Sequence, residues 1–405
     1  MANNLPLADV KVLDLMWALA GPTVTRMFAD YGATVVRVES TRHFDTARTV
    51  GPFLKGKPGG ENSALFHNMN AGKLMLTLDL TQDSGRAVFL DLVRWADVVT
   101  ESFSPKAMRG LGFDYESLRK VKPDLIMLST CLMGQSGPLA KFAGFGNLAA
   151  AISGFYNVTG WSDRPPSGPF SAYTDYVAPR FNAAAILAAL EYRRRTGQGQ
   201  YIDVSQAEAA LHFLGPALLD YTANGRVQKQ AGNHDLNYAP HGVYPVAGSD
   251  CWIAIVAQND EQWQALCTVM GRPELLRDER FTTLAARLAH QDDLDVEVAA
   301  WTKAQDPLPA EAALQARGVP SFVVRNMKEL YEDPQLNHRR HFVQLDHPEH
   351  GKTLVEGSRF QLSRTPAEVK YTAPTLGRDN HDVLEKILGY DEDKISELVV
   401  AGALG

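Results

Sequence analysis

The chain has 405 residues, of which 45% are hydrophobic and 21% charged, and its formal net charge is −7. That length exceeds one ordinary core, so two domains are expected, and the composition excludes a disordered chain. The acidic balance, with no dense Lys/Arg run, excludes an ordinary nucleic-acid binder.

No uncharged apolar run reaches membrane-spanning length. The start, from Met1 to Val10, lacks a basic region followed by an apolar stretch. Cys131, Cys251 and Cys267 are odd in number and unpatterned. They fit a reducing cytoplasm and offer neither a disulfide framework nor a zinc spacing. The expectation is a cytoplasmic chain with no membrane or nucleic-acid partner and no metal.

Val10–Leu15 is a short apolar run and predicts a strand. Pro22 suits the first turn of a helix, Thr23–Tyr31 is helical in pattern, and Gly32 stops it. Thr34–Glu39 is β-rich, which completes a β-α-β unit and implies parallel strands. The pattern repeats: strand at Lys73–Leu80, helix at Ser84–Trp95, strand at Asp97–Glu101. Short helices at Pro105–Gly110 and Tyr115–Val121 precede a strand at Leu125–Ser129. Residues 1–210 thus read as a doubly wound α/β domain. Segment 134–170, rich in Gly, Pro and Ser, reads as a long, partly ordered connection. Helices follow at Phe181–Arg195 and about 203–222.

Gly242–Val246 and Cys251–Val256 predict a hairpin across Gly248-Ser249-Asp250. Helices at about 259–270, 282–290 and 292–303 and a strand at Val319–Val324 complete a smaller α+β domain. The tail carries β-like pieces and a helix pair around 380–402 that rejoins the first domain. The boundaries are therefore 1–225 with 326–405 for the large domain and 226–325 for the small one.

Gly144-Phe145-Gly146-Asn147-Leu148-Ala149 matches a dinucleotide fingerprint only formally. It does not directly follow a strand, and context gives that motif its meaning. Cys131 lies just past a strand and reads as a buried structural thiol. His338, His341, His347 and His350 lack the helical pair of a metalloprotease and read as solvated surface residues. Arg193-Arg194-Arg195 ends a helix, where cations suit the macrodipole.

Asp175 precedes the apolar helix, in Tyr173-Thr174-Asp175-Tyr176-Val177-Ala178-Pro179. A carboxylate at a helix mouth can be an N-terminal cap. Flanked by aromatic and apolar residues it is also partly desolvated, which suits a nucleophile.

Three ordered blocks resemble the class III CoA-transferase family, which includes formyl-CoA, carnitine and benzylsuccinate CoA-transferases. They are Val12–Glu39 with Leu19-Ala20-Gly21-Pro22, Ala96–Pro105 followed by Leu111-Gly112, and Asp175 with Arg195-Thr196-Gly197-Gln198-Gly199-Gln200-Tyr201-Ile202-Asp203-Val204. The resemblance implies a Rossmann-like large domain built from both chain ends, a smaller α+β domain and an interlocked dimer. The dimer is of identical chains, or pairs with a paralogous subunit.

The resemblance also implies chemistry. Asp175 matches the catalytic aspartate, which takes the acyl group of an acyl-CoA as a mixed anhydride and passes CoA to a second carboxylic acid through an aspartyl-CoA thioester. Coenzyme A thioester is then a substrate, with no permanently bound cofactor. Leu19, Ala20, Leu78, Ser102, Phe103 and Ala107 match positions along the CoA. The family's phosphate-binding arginines align with Gly110 and Ser40, so Arg109 and Arg42, nearby, take that expectation. A one-residue offset turns a helical side chain by about 100°. The histidine of the family's racemases aligns with Phe145, and the glycine-run loop of oxalate-using members is absent after Tyr244. The expected reaction is CoA transfer, from succinyl-CoA to a bulky or aromatic acid such as benzylsuccinate. Racemisation is the alternative.

Overall fold

Val12 and Leu13, Val35 and Val36, and Val98 and Val99 point alternately into two different cores, as successive residues of a strand must. In the computed structural model, which describes residues 5–405, these residues belong to one six-stranded sheet. Its strands are β1 (Lys11–Leu15), β2 (Thr34–Glu39), β3 (Leu74–Thr77), β4 (Val98–Glu101), β5 (Ile126–Cys131) and β6 (Tyr201–Ser205). All pairs are parallel, in the order β3-β2-β1-β4-β5-β6. The near-continuous apolar runs of β1, β2, β4 and β5 are what strands covered on both faces require. The order reverses between β1 and β4, and that reversal opens a crevice beyond their C-terminal ends.

The helices up to residue 224 are α1 (Ala20–Asp30), α2 (Ala64–Asn70), α3 (Asp83–Trp95), α4 (Ala107–Leu111), α5 (Tyr115–Val121), α6 (Gly146–Ile152), α7 (Phe155–Val158), α8 (Tyr173–Thr196), α9 (Gln206–Leu211) and α10 (Gly215–Asn224). Val24 and Phe28 of α1 and Ile186 and Ala189 of α8 cover one face of the sheet. Val88, Phe89, Leu92 and Val93 of α3 cover the other.

Two readings of the sequence are corrected here. Helix α8 begins at Tyr173, eight residues before Phe181, and runs through Pro179. Residues 201–205 form a strand, not the start of a helix, and Ser205 then caps α9 by accepting the Glu208 N–H. β6 is an edge strand with only partial burial, so it lacks the continuous apolar run that marked the inner strands.

By contacts the chain separates into two units. One comprises residues up to Tyr156 with Gly168–Val227 and Gln335–Gly405; the other comprises Asn157–Ser167 with Gln228–Pro334. The segment 157–167, read as part of the large domain's connection, therefore lies in the second unit. Its backbone explains why: the Gly232 N–H donates to Gly160 O at 2.7 Å, and Gln230 Nε2 donates to Thr159 O at 3.2 Å. Residues 326–334 also fall in the second unit.

The second unit holds an antiparallel sheet of β7 (His241–Pro245), β8 (Trp252–Val256) and β9 (Ser321–Val323). Helices Asp260–Met270, Leu284–Ala289, Gln291–Thr302 and Pro307–Gln315 follow the hairpin. Trp263, Leu266, Leu294, Val298 and Leu314 form its core with Ile253 and Ile255.

In the tail, β10 (Phe342–His347) and β11 (Gly351–Glu356) form a hairpin in the first unit. His347, expected at the surface, is only 3% exposed. Val383, Leu384, Ile395 and Leu398 then enter the same core as Leu76 and Phe89. Asp379 and Asn380 accept the Met75 and Thr77 N–H groups of β3, each at 2.8 Å, which satisfies the strand's outer edge. Among the described residues, no helix is long and apolar enough to cross a membrane.

Candidate functional site

Beyond the C-terminal ends of β1, β4 and β5 lies a cleft of about 260 Å³. Trp17–Gly21, Ser102–Pro105, Cys131 and Leu132 line it, from the loops leaving those three strands. Lys141–Phe145, Thr46, Asp175 and Gln206 complete the wall. This is the position at which a doubly wound sheet holds its ligand.

Asp175 is 5% exposed and sits in the first turn of α8. It does not cap the helix: the N-cap residue is Ala172, and the Asp175 N–H donates to Ala172 O at 2.9 Å. Pro179 has no N–H, so the Asp175 carbonyl lacks its usual helical partner. Gly146 packs closely against the carboxylate, and its backbone N–H lowers the group's proton affinity. The Gly146 carbonyl in turn accepts Thr174 Oγ1 at 3.0 Å. A Cβ at position 146 would lie 2.7 Å from Asp175 Cγ, so only glycine permits this approach. Burial pushes Asp175 up to about 6, against the lowering effect of the Gly146 N–H. Such a carboxylate is poorly solvated yet largely ionised near neutrality, the condition a carboxylate nucleophile needs.

The opposite wall is held from below. Trp17 N–H donates to Ser102 Oγ at 2.8 Å, tying the loop after β1 to the loop after β4. The Trp17 and Phe103 rings meet edge to face at 5.5 Å. Phe103 N–H donates to Glu101 Oε2 at 2.7 Å, and burial pushes Glu101 up to about 7. Ala18 has φ +63, a left-handed conformation costly for a residue with a Cβ. A buried charge cluster supports it. Arg37 donates to Glu39 at 2.9 Å and Asp45 at 2.6 Å, and Lys73 donates to Asp14 at 3.0 Å; Asp14, Arg37, Asp45 and Lys73 are 0% exposed.

The sequence model of CoA-transferase family III matches residues 7–380. The chain belongs to that family. It is 34% identical over 394 residues to the succinyl-CoA–D-citramalate CoA-transferase of Chloroflexus aurantiacus, covering 97% of this chain and 96% of that one. It is 34% identical over 390 residues to the succinate–glutarate CoA-transferase of Agrobacterium fabrum, covering 94% and 96%. Among solved structures, a CAIB/BAIF family protein from Brucella suis superposes with a TM-score of 0.86 at 32% identity, covering 95% of this chain and all of that one.

The CoA-transferase positions expected from sequence divide into two groups. Asp175, Leu19, Ala20, Ser102 and Phe103 line the one cleft. Four others do not. Leu78 is 1% exposed in the core, where its side chain is unavailable to a ligand. Ala107 opens α4 outside the lining. Arg42 is exposed and pairs with Asp79 at 3.2 Å. Arg109 borders a neighbouring cavity with Glu101, Tyr201 and Asp203. Of the aromatic residues, Trp17 and Phe145 line the cleft, whereas Phe170 is 95% exposed. Cys131 lines the cleft rather than lying buried as a structural thiol; its place at the end of β5 was the available signal. Lys141, Thr46 and Gln206 carried no motif, and Lys141 is the only cationic residue among the lining.

Proposed function

We propose that this CoA-transferase moves CoA from succinyl-CoA to a second dicarboxylic acid, with Asp175 as the covalent carrier. The observation that carries the reading is the buried Asp175 carboxylate facing the same cleft as Lys141. The relatives named above are named for succinyl-CoA or succinate with citramalate or glutarate, and succinate, citramalate and glutarate each carry two carboxyl groups. Lys141 supplies a counter-charge for the carboxylate that does not react.

An Asp175 oxygen attacks the thioester carbonyl, the C–S bond breaks, and a succinyl-aspartyl anhydride and CoA thiolate form. The thiolate attacks the Asp175 carbonyl, releasing succinate and leaving an aspartyl-CoA thioester. The acceptor carboxylate attacks that thioester, giving a new anhydride and free thiolate. The thiolate attacks the acceptor's acyl carbon and restores Asp175. Splitting one hard exchange into steps at a single carbonyl is covalent catalysis. The Gly146 N–H lies beside this carboxyl group, so it is placed to serve as an oxyanion donor when that carbonyl is attacked.

CoA runs along Leu19, Ala20, Ser102 and Phe103, with its phosphates toward Arg42 or Arg109. Trp17, Phe103, Phe142 and Phe145 form an aromatic wall that favours a second acceptor, a succinate bearing a ring such as benzylsuccinate. We read the working assembly as an interlocked homodimer. Initial rates with succinyl-CoA against glutarate, citramalate, benzylsuccinate and a monocarboxylic control test the proposal. Dicarboxylates should turn over far faster than the control. Equal rates would overturn the dicarboxylate reading, and full activity of Asp175→Asn would overturn the carrier.

A further inference from the structure

His67 on α2 stands far in sequence from His347 and His350 at the β10–β11 turn, and the three meet away from the cleft. Each presents one ring nitrogen, and the three nitrogens lie within 4.8 Å of one another. The rings of His67 and His347 are 4.6 Å apart, as are those of His347 and His350.

Hydrogen bonding assigns the tautomers of two of them. His67 Nε2 and His350 Nε2 both lie 2.9 Å from the carbonyl oxygen of Glu61. A carbonyl only accepts, so both Nε2 atoms carry the proton, and each Nδ1 keeps a lone pair. A histidine whose far N–H is held by a backbone carbonyl is the usual arrangement behind a metal ligand. His67 Nδ1 and His347 Nε2 are buried with no hydrogen-bond partner, on side chains 4% and 3% exposed. Two unpaired polar atoms buried at one spot call for an occupant, since a buried polar atom left without a partner is costly.

We propose that His67, His347 and His350 bind a divalent transition-metal ion of the zinc class. Three neutral imidazoles suit zinc, cobalt or nickel, whereas magnesium and calcium prefer oxygen ligands. The Glu61 carboxylate is engaged by Arg48 and by the Leu376 N–H, so the ligand set is nitrogen only and leaves an open fourth position. His347 Nδ1 accepts the Glu349 N–H at 3.1 Å. Ligation through Nε2 shifts the His347 proton to Nδ1, so that hydrogen bond is exchanged for the metal bond. The ion would clasp the tail hairpin to α2.

Cobalt titration of the full chain, stripped with a chelator, tests this. One equivalent of Co²⁺ should give the visible bands of a nitrogen-ligated ion of low coordination number, and Zn²⁺ should bleach them. His347→Gln and the less buried His350→Gln should each remove the bands, with folding checked by circular dichroism. Asp175→Asn, in the separate cleft, should retain them, so the outcome is independent of the CoA-transfer proposal. Folded protein showing no saturable cobalt band would overturn the site. So would bands that persist in a folded His347→Gln/His350→Gln double variant.

Discussion

The backbone N–H of Ala18 donates to Asp45 Oδ1 at 2.7 Å, while Asp45 Oδ2 takes Arg37 at 2.6 Å. One buried carboxylate therefore fixes a strained residue of the cleft wall to the charge cluster carried by β1 and β2.

Removing that carboxylate should be costly. Asp45→Ala leaves Arg37 buried with one partner fewer, and breaking a buried pair costs about 3–5 kcal/mol. Urea unfolding should show a loss of that size, together with a raised KM for acyl-CoA. Ala18→Gly removes the Cβ that the positive φ disfavours. It should leave stability within about 1 kcal/mol of the parent chain.

Asp175 should impose an acid limb on kcat/KM near pH 6, because the nucleophile must be ionised and burial has raised its proton affinity. The stability effect has the opposite sense. A folded-state value raised from 3.8 to about 6 favours the neutral form in the fold. The stability it contributes is fully present below 3.8 and is lost as pH rises through about 6, a change of about 3 kcal/mol. Asp175→Asn should therefore abolish transfer yet stabilise the chain at pH 7 by up to that amount. At pH 3.5 the two proteins should unfold alike.

Gly146→Ala should damage chemistry more than binding. The added Cβ would displace the Asp175 carboxyl group from 2.7 Å, and a small misplacement at a reacting centre costs roughly 100-fold. The expected result is a kcat lower by about that factor with CoA affinity little changed, measured by steady-state kinetics and CoA titration.

Lys141→Met tests the dicarboxylate reading. Loss of the only cation in the lining should raise KM for succinyl-CoA and for a dicarboxylate acceptor roughly tenfold, and leave a monocarboxylic acyl-CoA unaffected. A uniform effect on both classes would assign Lys141 to CoA itself.

The inner sheet was legible because β1, β2, β4 and β5 are buried on both faces and are rich in Val, Leu, Ile and Met, interrupted by few polar residues such as Asp14 and Arg37. β6 was not, since its burial alternates at the sheet edge and its sequence, Tyr201–Ser205, mixes polar and apolar residues. The start of α8 was hidden by Pro179, which reads as a stop but sits in the second turn. Asp175 was found through its flanking motif. Its partner Gly146 lay in a segment read as connection, and only the backbone approach reveals its role. The His67–His347–His350 grouping leaves no local spacing to find, since 280 residues separate the first two.

The hold of Asp379 and Asn380 on the outer edge of β3 spans more than 300 positions of the chain. Synthesis runs in the other direction. While the second unit and the tail are still being made, β3 is exposed as an open template for stray strand pairing. The completed chain closes the edge with its own last elements, so the vulnerable period is set by translation time rather than by folding rate. Ribosome-arrested chains ending before Asp379 should aggregate or recruit a chaperone, where the full-length chain does neither.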